Sequence, residues 1–185
     1  MLDIGILFMF RNPPFNRTDW GTIYRNELDH AVASETLGYD HVWLSEHHFV
    51  EDGYSPSVLP IAAAIAARTE KVRIGTYVLL LPLHNPVRVA EDAATVDVIA
   101  GGRFDLGMGL GYRPGEFTGM GISSKERGAR LAEGLPLVQA MMKGEKVSHN
   151  GRFNQYTDLQ LFPPPVQQPF PLWVGARGDK ALDRA

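Results

Sequence analysis

Residues 41–69 read HVWLSEHHFVEDGYSPSVLPIAAAIAART. The short apolar run HVWLS ends abruptly in Glu46, His47 and His48, and a loop containing glycine, proline and serine leads to an alanine-rich run. This order predicts a buried strand, a polar loop and a helix. The end of an ordinary strand needs neither a carboxylate nor two adjacent imidazoles, so these three residues are candidates for a functional site.

The same alternation of strand and helix extends along the chain in both directions. Further apolar runs predict strands, and segments with helical periodicity lie between them, as in the βαβ units of a parallel sheet. The strand-like runs are DIGILFMF, VRIGTYVLLLP, FDLGMGLG and LWVGA. VRIGTYVLLLP is apolar throughout, which is typical of strands covered on both faces.

Helix-start signals accompany this pattern. After a first helix at about residues 22–37, Asn85 is expected to cap a helix that Pro86 opens and that runs to about residue 100. Ser123 and Glu126 have the spacing of a capping box for a later helix, which we expect to kink at Pro136.

A hairpin signal interrupts the alternation. Asn150 and Gly151 lie between two short runs, and this pair favours a two-residue type I′ turn. The proline-rich connection PPPVQQPFP follows it. We expect a hairpin insertion at about residues 145–170 within a single domain that covers residues 1–185.

Composition narrows the class of protein. The 185 residues are 44% hydrophobic and 21% charged, with a net charge of −3 and no basic stripe, so we expect a small-molecule partner and no nucleic acid. No apolar run approaches the roughly 20 residues that cross a bilayer, so no membrane association is expected. The absence of cysteine is compatible with a reducing compartment, and we expect a cytoplasmic protein.

The number of strands bears on the architecture. A TIM barrel closes with eight strands in roughly 250 residues, whereas this sequence predicts five strands and the start of a fifth helix. The simpler interpretation is a piece of a longer barrel, and a complete doubly wound α/β domain is the competing one.

Several ordered sequence blocks resemble one family. SEHHF, GTYVLLLP with HNPVRVAED, GGRFDLGMGLGYRPGEF, ERGAR and PPPVQQPFPLWVG occur in the order and at the spacing of the bacterial luciferase-like flavin-dependent monooxygenases. The resemblance covers essentially the whole chain. It implies an α/β fold, a luciferase-like TIM barrel, here truncated after about the fifth strand.

The resemblance also implies a function. We expect an oxidoreductase, a flavoprotein that uses reduced FMN and O2 to oxygenate an organic substrate, with FMN reduced by a separate NAD(P)H:flavin reductase. A homodimer formed through the early helices is expected as well. The alternatives are an F420-dependent hydride-transfer enzyme and a non-catalytic flavin-binding or subunit-partner protein.

Within the opening motif, the resemblance assigns His47 as the catalytic acid/base and Glu46 as a residue that orients its neighbours. Imidazole titrates near neutrality, which suits proton transfer. The competing interpretation is that these polar residues cap the strand and bond the loop backbone. No metal is expected, because His47 and His48 lack the helical spacing and the third ligand of a zinc site.

Cofactor contacts follow from the resemblance at strands three and four. Tyr77 and Val78 match positions where the family carries a bulge or a non-prolyl cis peptide against the flavin, and a plain core strand is the alternative. Gly109 lets the ring approach strand four. Gly109 and Leu110 stand where luciferase itself has a reactive cysteine and a phosphate-binding arginine, which argues against luminescence chemistry.

Phosphate contacts are expected at two places. Arg127 matches a family arginine, and Arg113 is a weaker candidate that is as compatible with a solvated surface. Gly175, Arg177 and Gly178 form a glycine turn that opens a helix, where free N–H groups favour an anion. An ordinary strand-to-helix connection is the alternative.

Overall fold

The computed structural model describes residues 2–176, in which strands and helices alternate. The strands are β1 Gly5–Phe8, β2 His41–Leu44, β3 Arg73–Thr76, β4 Phe104–Gly109, β5 Val147–Asn150, β6 Gln155–Leu159 and β7 Leu172–Gly175. The helices are α1 Trp20–Thr36, α2 Val58–Ala66, α3 Pro86–Ile99, α4 Pro114–Gly119 and α5 Arg127–Met142. Short 3-10 turns cover Pro14–Asn16, Leu81–Leu83 and Ser124–Glu126.

Five strands form one parallel sheet in the order β1-β2-β3-β4-β7. Each neighbouring pair up to β4 is joined through a helix, as parallel connections require. The carboxyl ends of all five strands therefore lie at the same edge of the sheet, and the loops that follow them meet there.

One face of the sheet carries the core. Val42, Leu44, Ile74 and Leu106 are completely buried and belong to one cluster with the apolar residues of α2, α3 and α5. Successive side chains of a strand point to opposite faces, so these alternate positions form a continuous helix-covered layer.

The opposite face is open within residues 2–176. Leu7, Tyr77 and Trp173 are 41%, 65% and 60% exposed. The residues of β3 itself are buried or half-buried, so the expectation that the third strand is covered on both faces stays a prediction. The described helices pack against one face only, and an apolar run alone does not reveal which face has a partner.

The third strand is also shorter than expected. It ends at Thr76, and Leu79 returns to β4 through a single bridge to Met108 before the 3-10 turn at Leu81–Leu83. Leu79 and Leu81 are each 2% exposed. A buried turn is as apolar as a buried strand, so hydrophobicity does not mark the boundary.

Helix starts give a mixed result. The Asn85 cap is confirmed, since its side chain accepts hydrogen bonds from the N–H groups of Val87 and Arg88 and Pro86 is the first helical residue. The capping box is wrong, because Ser123 makes no side-chain cap hydrogen bond. Glu126 instead bonds arginine side chains, and α5 begins only at residue 127 and continues through Pro136. The six-residue α4 is an additional helix.

An antiparallel hairpin of β5 and β6 lies in the expected insertion. Its turn differs from the expected type I′, because Asn150 pairs with Gln155 and four residues connect the strands. The Gly151 N–H donates to the Asn154 carbonyl at 2.9 Å, and the Glu133 carboxylate accepts the N–H groups of residues 152–154. A side chain from α5 thus organises the loop, which the local sequence does not encode.

Within residues 2–176, no helix combines the length and the apolar character that crossing a membrane requires.

Candidate functional site

Polar groups follow β2, β3 and β4 at the carboxyl edge of the sheet. Glu46, His47 and His48 follow β2, His84 follows β3, and Glu116 lies in α4 after β4. All are buried except His84, whose side chain is 30% exposed. The parallel topology collects these side chains, because the strand ends that carry them are neighbours in the sheet.

The Glu46 carboxylate is the centre of one network. Its Oε1 atom lies 2.5 Å from His48 Nε2 and 2.7 Å from His84 Nε2, and its Oε2 accepts the Leu80 N–H at 2.9 Å. Burial raises the pKa of Glu46, but the hydrogen bonds from His48, His84 and Leu80 outweigh it and hold the pKa at about 2. Glu46 is therefore an anion that ties the end of β2 to the loop after β3.

Three atoms of this network are potential metal ligands. One atom each of Glu46, His48 and His84 lies within 4.8 Å of the others; this group does not include His47, for which the missing third ligand was argued. The ring nitrogens lie at direct hydrogen-bond distances from the Glu46 oxygen. Ligands that share one metal are farther apart, because each stands about 2 Å from the ion at a wide angle. The geometry is that of a hydrogen-bond network.

His47 belongs to a second pair. Its Nδ1 lies 2.7 Å from Glu116 Oε1, and the same oxygen accepts the His48 backbone N–H at 3.1 Å. The His47 ring packs edge-on against Tyr54 and Tyr112, with ring centroids 4.5 and 5.7 Å away. The two adjacent histidines thus have different carboxylate partners, as expected from side chains that diverge from consecutive positions.

A cleft of about 590 Å³ occupies the open face of the sheet. Aromatic and apolar side chains dominate its lining, and a pocket of this size and character accommodates a cofactor-sized aromatic ligand. The lining residues are Leu7, Trp43, Thr76, Tyr77, Val78, Gly107, Trp173, Val174, Gly175 and Ala176.

Three of the expected cofactor contacts, Tyr77, Val78 and Gly175, line this cleft. The Tyr77–Val78 peptide bond is cis, as the resemblance implies. Gly109 lies against the same wall, because a Cβ there would stand 2.5 Å from a methyl carbon of Val78. Only glycine lets β4 approach Val78 so closely.

The expected phosphate contacts are more scattered. Arg127 begins α5, outside the cleft lining, where its guanidinium donates to the Ser124 carbonyl at 2.7 Å and its buried Nε has no partner among residues 2–176. Arg113 precedes α4, with its guanidinium 5.8 Å from the centre of the Tyr112 ring. Arg177 and Gly178 lie outside the described residues.

Sequence analysis missed His84 and Glu116. Both stand in the loops or short helices that follow strands β3 and β4, the same position that drew attention to Glu46 and His47. A search for buried polar residues after every predicted strand would have found them.

Comparisons with known proteins agree with this geometry. The family model described as luciferase-like monooxygenase matches residues 2–185. The oxygenase component of the flavin-dependent trigonelline monooxygenase of Acinetobacter baylyi is 32% identical over 158 residues, which are 84% of this chain and 44% of that protein. An F420-dependent glucose-6-phosphate dehydrogenase of Amycolatopsis mediterranei is 34% identical over 161 residues, 83% of this chain and 48% of that protein.

A solved structure gives the same result. The crystal structure of the monooxygenase RslO1 from Streptomyces bottropensis matches with a TM-score of 0.88 and 33% identity, over 95% of this chain and 54% of that one. The chain therefore spans about half the length of the relatives it matches. Its parallel sheet corresponds to part of a TIM barrel, and the chain belongs to the luciferase-like monooxygenase family.

Proposed function

We propose that the protein is a flavin-dependent monooxygenase that uses reduced FMN and O2 to oxygenate a small organic substrate. Two observations carry the proposal: the apolar cleft on the open sheet face, and the His47–Glu116 pair at the carboxyl edge of the same sheet. A flavin ring needs a flat apolar wall, and proton transfer beside it needs a titratable group. Both features belong to the same five-stranded parallel sheet.

The residues of the cleft suit an isoalloxazine ring. Trp43, Tyr77 and Trp173 offer aromatic surfaces, and Val78 and Gly175 leave space against the strand ends. When bound, reduced FMN supplies the reducing equivalents for O2 chemistry. The chain itself would hold the ring, exclude water from it and position the substrate.

His47 is proposed as the acid/base, and Glu46 as the residue that fixes the loops around it. Within residues 2–176 no hydrogen bond reaches His47 Nε2, whereas Nδ1 is bound to Glu116. A ring anchored through one nitrogen keeps the other for proton exchange with a ligand. Glu46 contacts His48, His84 and Leu80, which suits an organising role.

The phosphate of FMN is proposed to contact Arg127, Gly175, Arg177 and Gly178. The unpartnered Nε of Arg127 is a donor available to an anion. A separate NAD(P)H:flavin reductase is proposed as partner, because one relative is named the oxygenase component of a flavin-dependent monooxygenase. A homodimer and a cytoplasmic location stay predictions.

A second candidate is F420-dependent hydride transfer. The relative from Amycolatopsis mediterranei is named F420-dependent and is as similar to this chain as the monooxygenase component. The third candidate, a non-catalytic flavin-binding or subunit-partner protein, is favoured by the exposure of Tyr77 and Trp173 on the open face.

Anaerobic titration with reduced FMN and, separately, with reduced F420 tests the proposal, followed by admission of O2. We expect tighter binding of reduced FMN and O2 uptake that depends on it, with uptake altered in His47→Ala while FMN affinity is kept. Preference for F420 without O2 uptake would select hydride transfer. Binding of neither cofactor would contradict both enzymatic candidates.

A further inference from the structure

Glu116 reaches His47 across 69 positions of sequence. It lies in α4, which follows β4, and its side chain is nearly inaccessible, with 2% exposed. The pairing depends on the parallel sheet, because β2 and β4 flank β3 and end at the same edge. A carboxylate that is buried this completely contributes little to solubility, so its role depends on the groups that it contacts.

The contacts define which ring nitrogen of His47 carries the proton. Glu116 Oε1 accepts the His48 backbone N–H at 3.1 Å and lies 2.7 Å from His47 Nδ1. Because this oxygen already accepts one N–H, it is an acceptor in the network, and the ring nitrogen that faces it is suited to donate. The proton of a neutral His47 ring therefore belongs on Nδ1, and Nε2 carries the lone pair.

His48 shows the opposite arrangement. Its Nε2 lies 2.5 Å from Glu46 Oε1, so by the same argument its proton belongs on Nε2. That nitrogen is fully engaged with a carboxylate that also binds His84. Of the two adjacent rings, only His47 leaves Nε2 without a bond to any residue from 2 to 176, and packing against Tyr54 and Tyr112 fixes the orientation of its ring.

We propose that Glu116 is the positioning residue of His47, holding the proton on Nδ1 so that the Nε2 lone pair faces the reacting group. The catalytic consequence of this inference rests on the proposed function. Which ring nitrogen carries the proton does not, because it depends only on residues of this chain. Glu116 acts through His47 and touches neither cofactor nor substrate in this account.

Nitrogen-15 NMR of the histidine side chains in the 185-residue chain tests which nitrogen of His47 carries the proton. The His47 signals are identified by their loss in His47→Ala. In the neutral form of His47 we expect the proton on Nδ1, and in Glu116→Gln a mixture of both tautomers, because an amide can donate as well as accept. The matched control Glu91→Gln changes an exposed carboxylate of α3 and should leave the His47 signals unchanged.

Two spectral results would overturn the inference. A wild-type His47 protonated on Nε2 would do so even if Glu116→Gln failed to fold, and so would an unchanged tautomer in a folded Glu116→Gln variant. Thermal unfolding of each variant shows whether it is folded.

A double-mutant cycle tests whether Glu116 affects turnover through His47. Turnover is measured with the cofactor that the titration selects. We expect Glu116→Gln to lower kcat on the order of 100-fold with little change in KM, and to have no further effect in the His47→Ala background. A further loss in that background would show that Glu116 acts independently of His47 and overturn the inference. A wild-type protein without turnover would overturn the proposed function and the catalytic role together, while the tautomer result would stand.

Discussion

The two faces of the parallel sheet are built from alternate residues of the same strands and have opposite properties. Val42, Leu44 and Ile74 are fully buried under helices, whereas Leu7 and Trp173 on the other face are 41% and 60% exposed. The cleft on the open face is lined mainly by apolar and aromatic side chains, so hydrophobicity alone does not separate a stabilising surface from a binding surface. Within residues 2–176 the difference is that the described helices cover one face only. We assign stability to the covered face, and the open face is the one proposed for the cofactor.

The largest expected effect is a difference in stability between the same substitution on the two faces. Leu44→Ala leaves a cavity under the helices and should lower the free energy of unfolding by about 2–5 kcal/mol. Leu7→Ala, the same substitution on the neighbouring strand of the open face, should cost less than about 1 kcal/mol, since its side chain already meets solvent. Urea unfolding of both variants measures the difference in the free energy of unfolding. An equal decrease in the two variants would refute the assignment of stability to the helix-covered face.

The pH dependence of the protein's stability tests the role of Glu46 at the carboxyl edge of the sheet. The pKa of Glu46 is about 2 in the folded protein against an ordinary 4.5. Because the pKa is lower in the folded than in the unfolded protein, the ionised carboxylate stabilises the fold above about pH 4.5. This contribution is lost as the pH falls towards 2. Its size is on the order of 3 kcal/mol.

The control for this prediction is Glu46→Gln. Other carboxylates with lowered pKa, such as Glu35 and Glu133, contribute equally to both proteins. The stability difference between wild type and variant should therefore be large at neutral pH and shrink as the pH falls from 4.5 to 2. A difference that stays constant over this range would remove Glu46 as the source.

A smaller effect concerns the cofactor phosphate. Arg127→Ala should weaken FMN binding by roughly 1.5–3 kcal/mol through the loss of a charge-assisted hydrogen bond. Arg88→Ala is the matched control, because Arg88 is an exposed arginine that pairs with Glu91 and Asp92 on α3. Calorimetric titration compares the two, and equal affinities would exclude Arg127 from the phosphate site.

The smallest effect is expected for Trp173→Ala on stability. Its side chain is 60% exposed on the open face, so the free energy of unfolding should change by less than about 1 kcal/mol. Unfolding measured at several protein concentrations provides the check. A loss as large as that of Leu44→Ala, increasing with concentration, would mean that another copy of the chain covers this face in solution.

The sequence was sufficient to predict the order of the strands and of all described helices except α4, because apolar runs, Asn85 with Pro86 and the Asn150-Gly151 pair are local signals. It also located His47 and Glu46, since polar residues directly after a buried run are conspicuous. The end of β3 was not predictable, because Leu79 and Leu81 are as apolar in a buried turn as in a strand.

Long-range contacts explain the remaining differences. Glu126 fits a capping box by spacing, but Arg152 from the hairpin competes for its carboxylate. Glu133 likewise reshapes the hairpin turn from a distant helix. Glu116 bonds His47, and His84 shares the Glu46 carboxylate with His48; these contacts form because the sheet brings three strand ends together.

The most direct test of the central claim uses the fluorescence of Trp20→Phe during titration with FMN. The chain has three tryptophans, and this variant keeps only Trp43 and Trp173, both of which line the open-face cleft. We predict saturable quenching of their emission with the same dissociation constant that the flavin signal reports. Flavin binding that leaves this emission unchanged would place the cofactor elsewhere and contradict the division of the sheet into a stabilising face and a binding face.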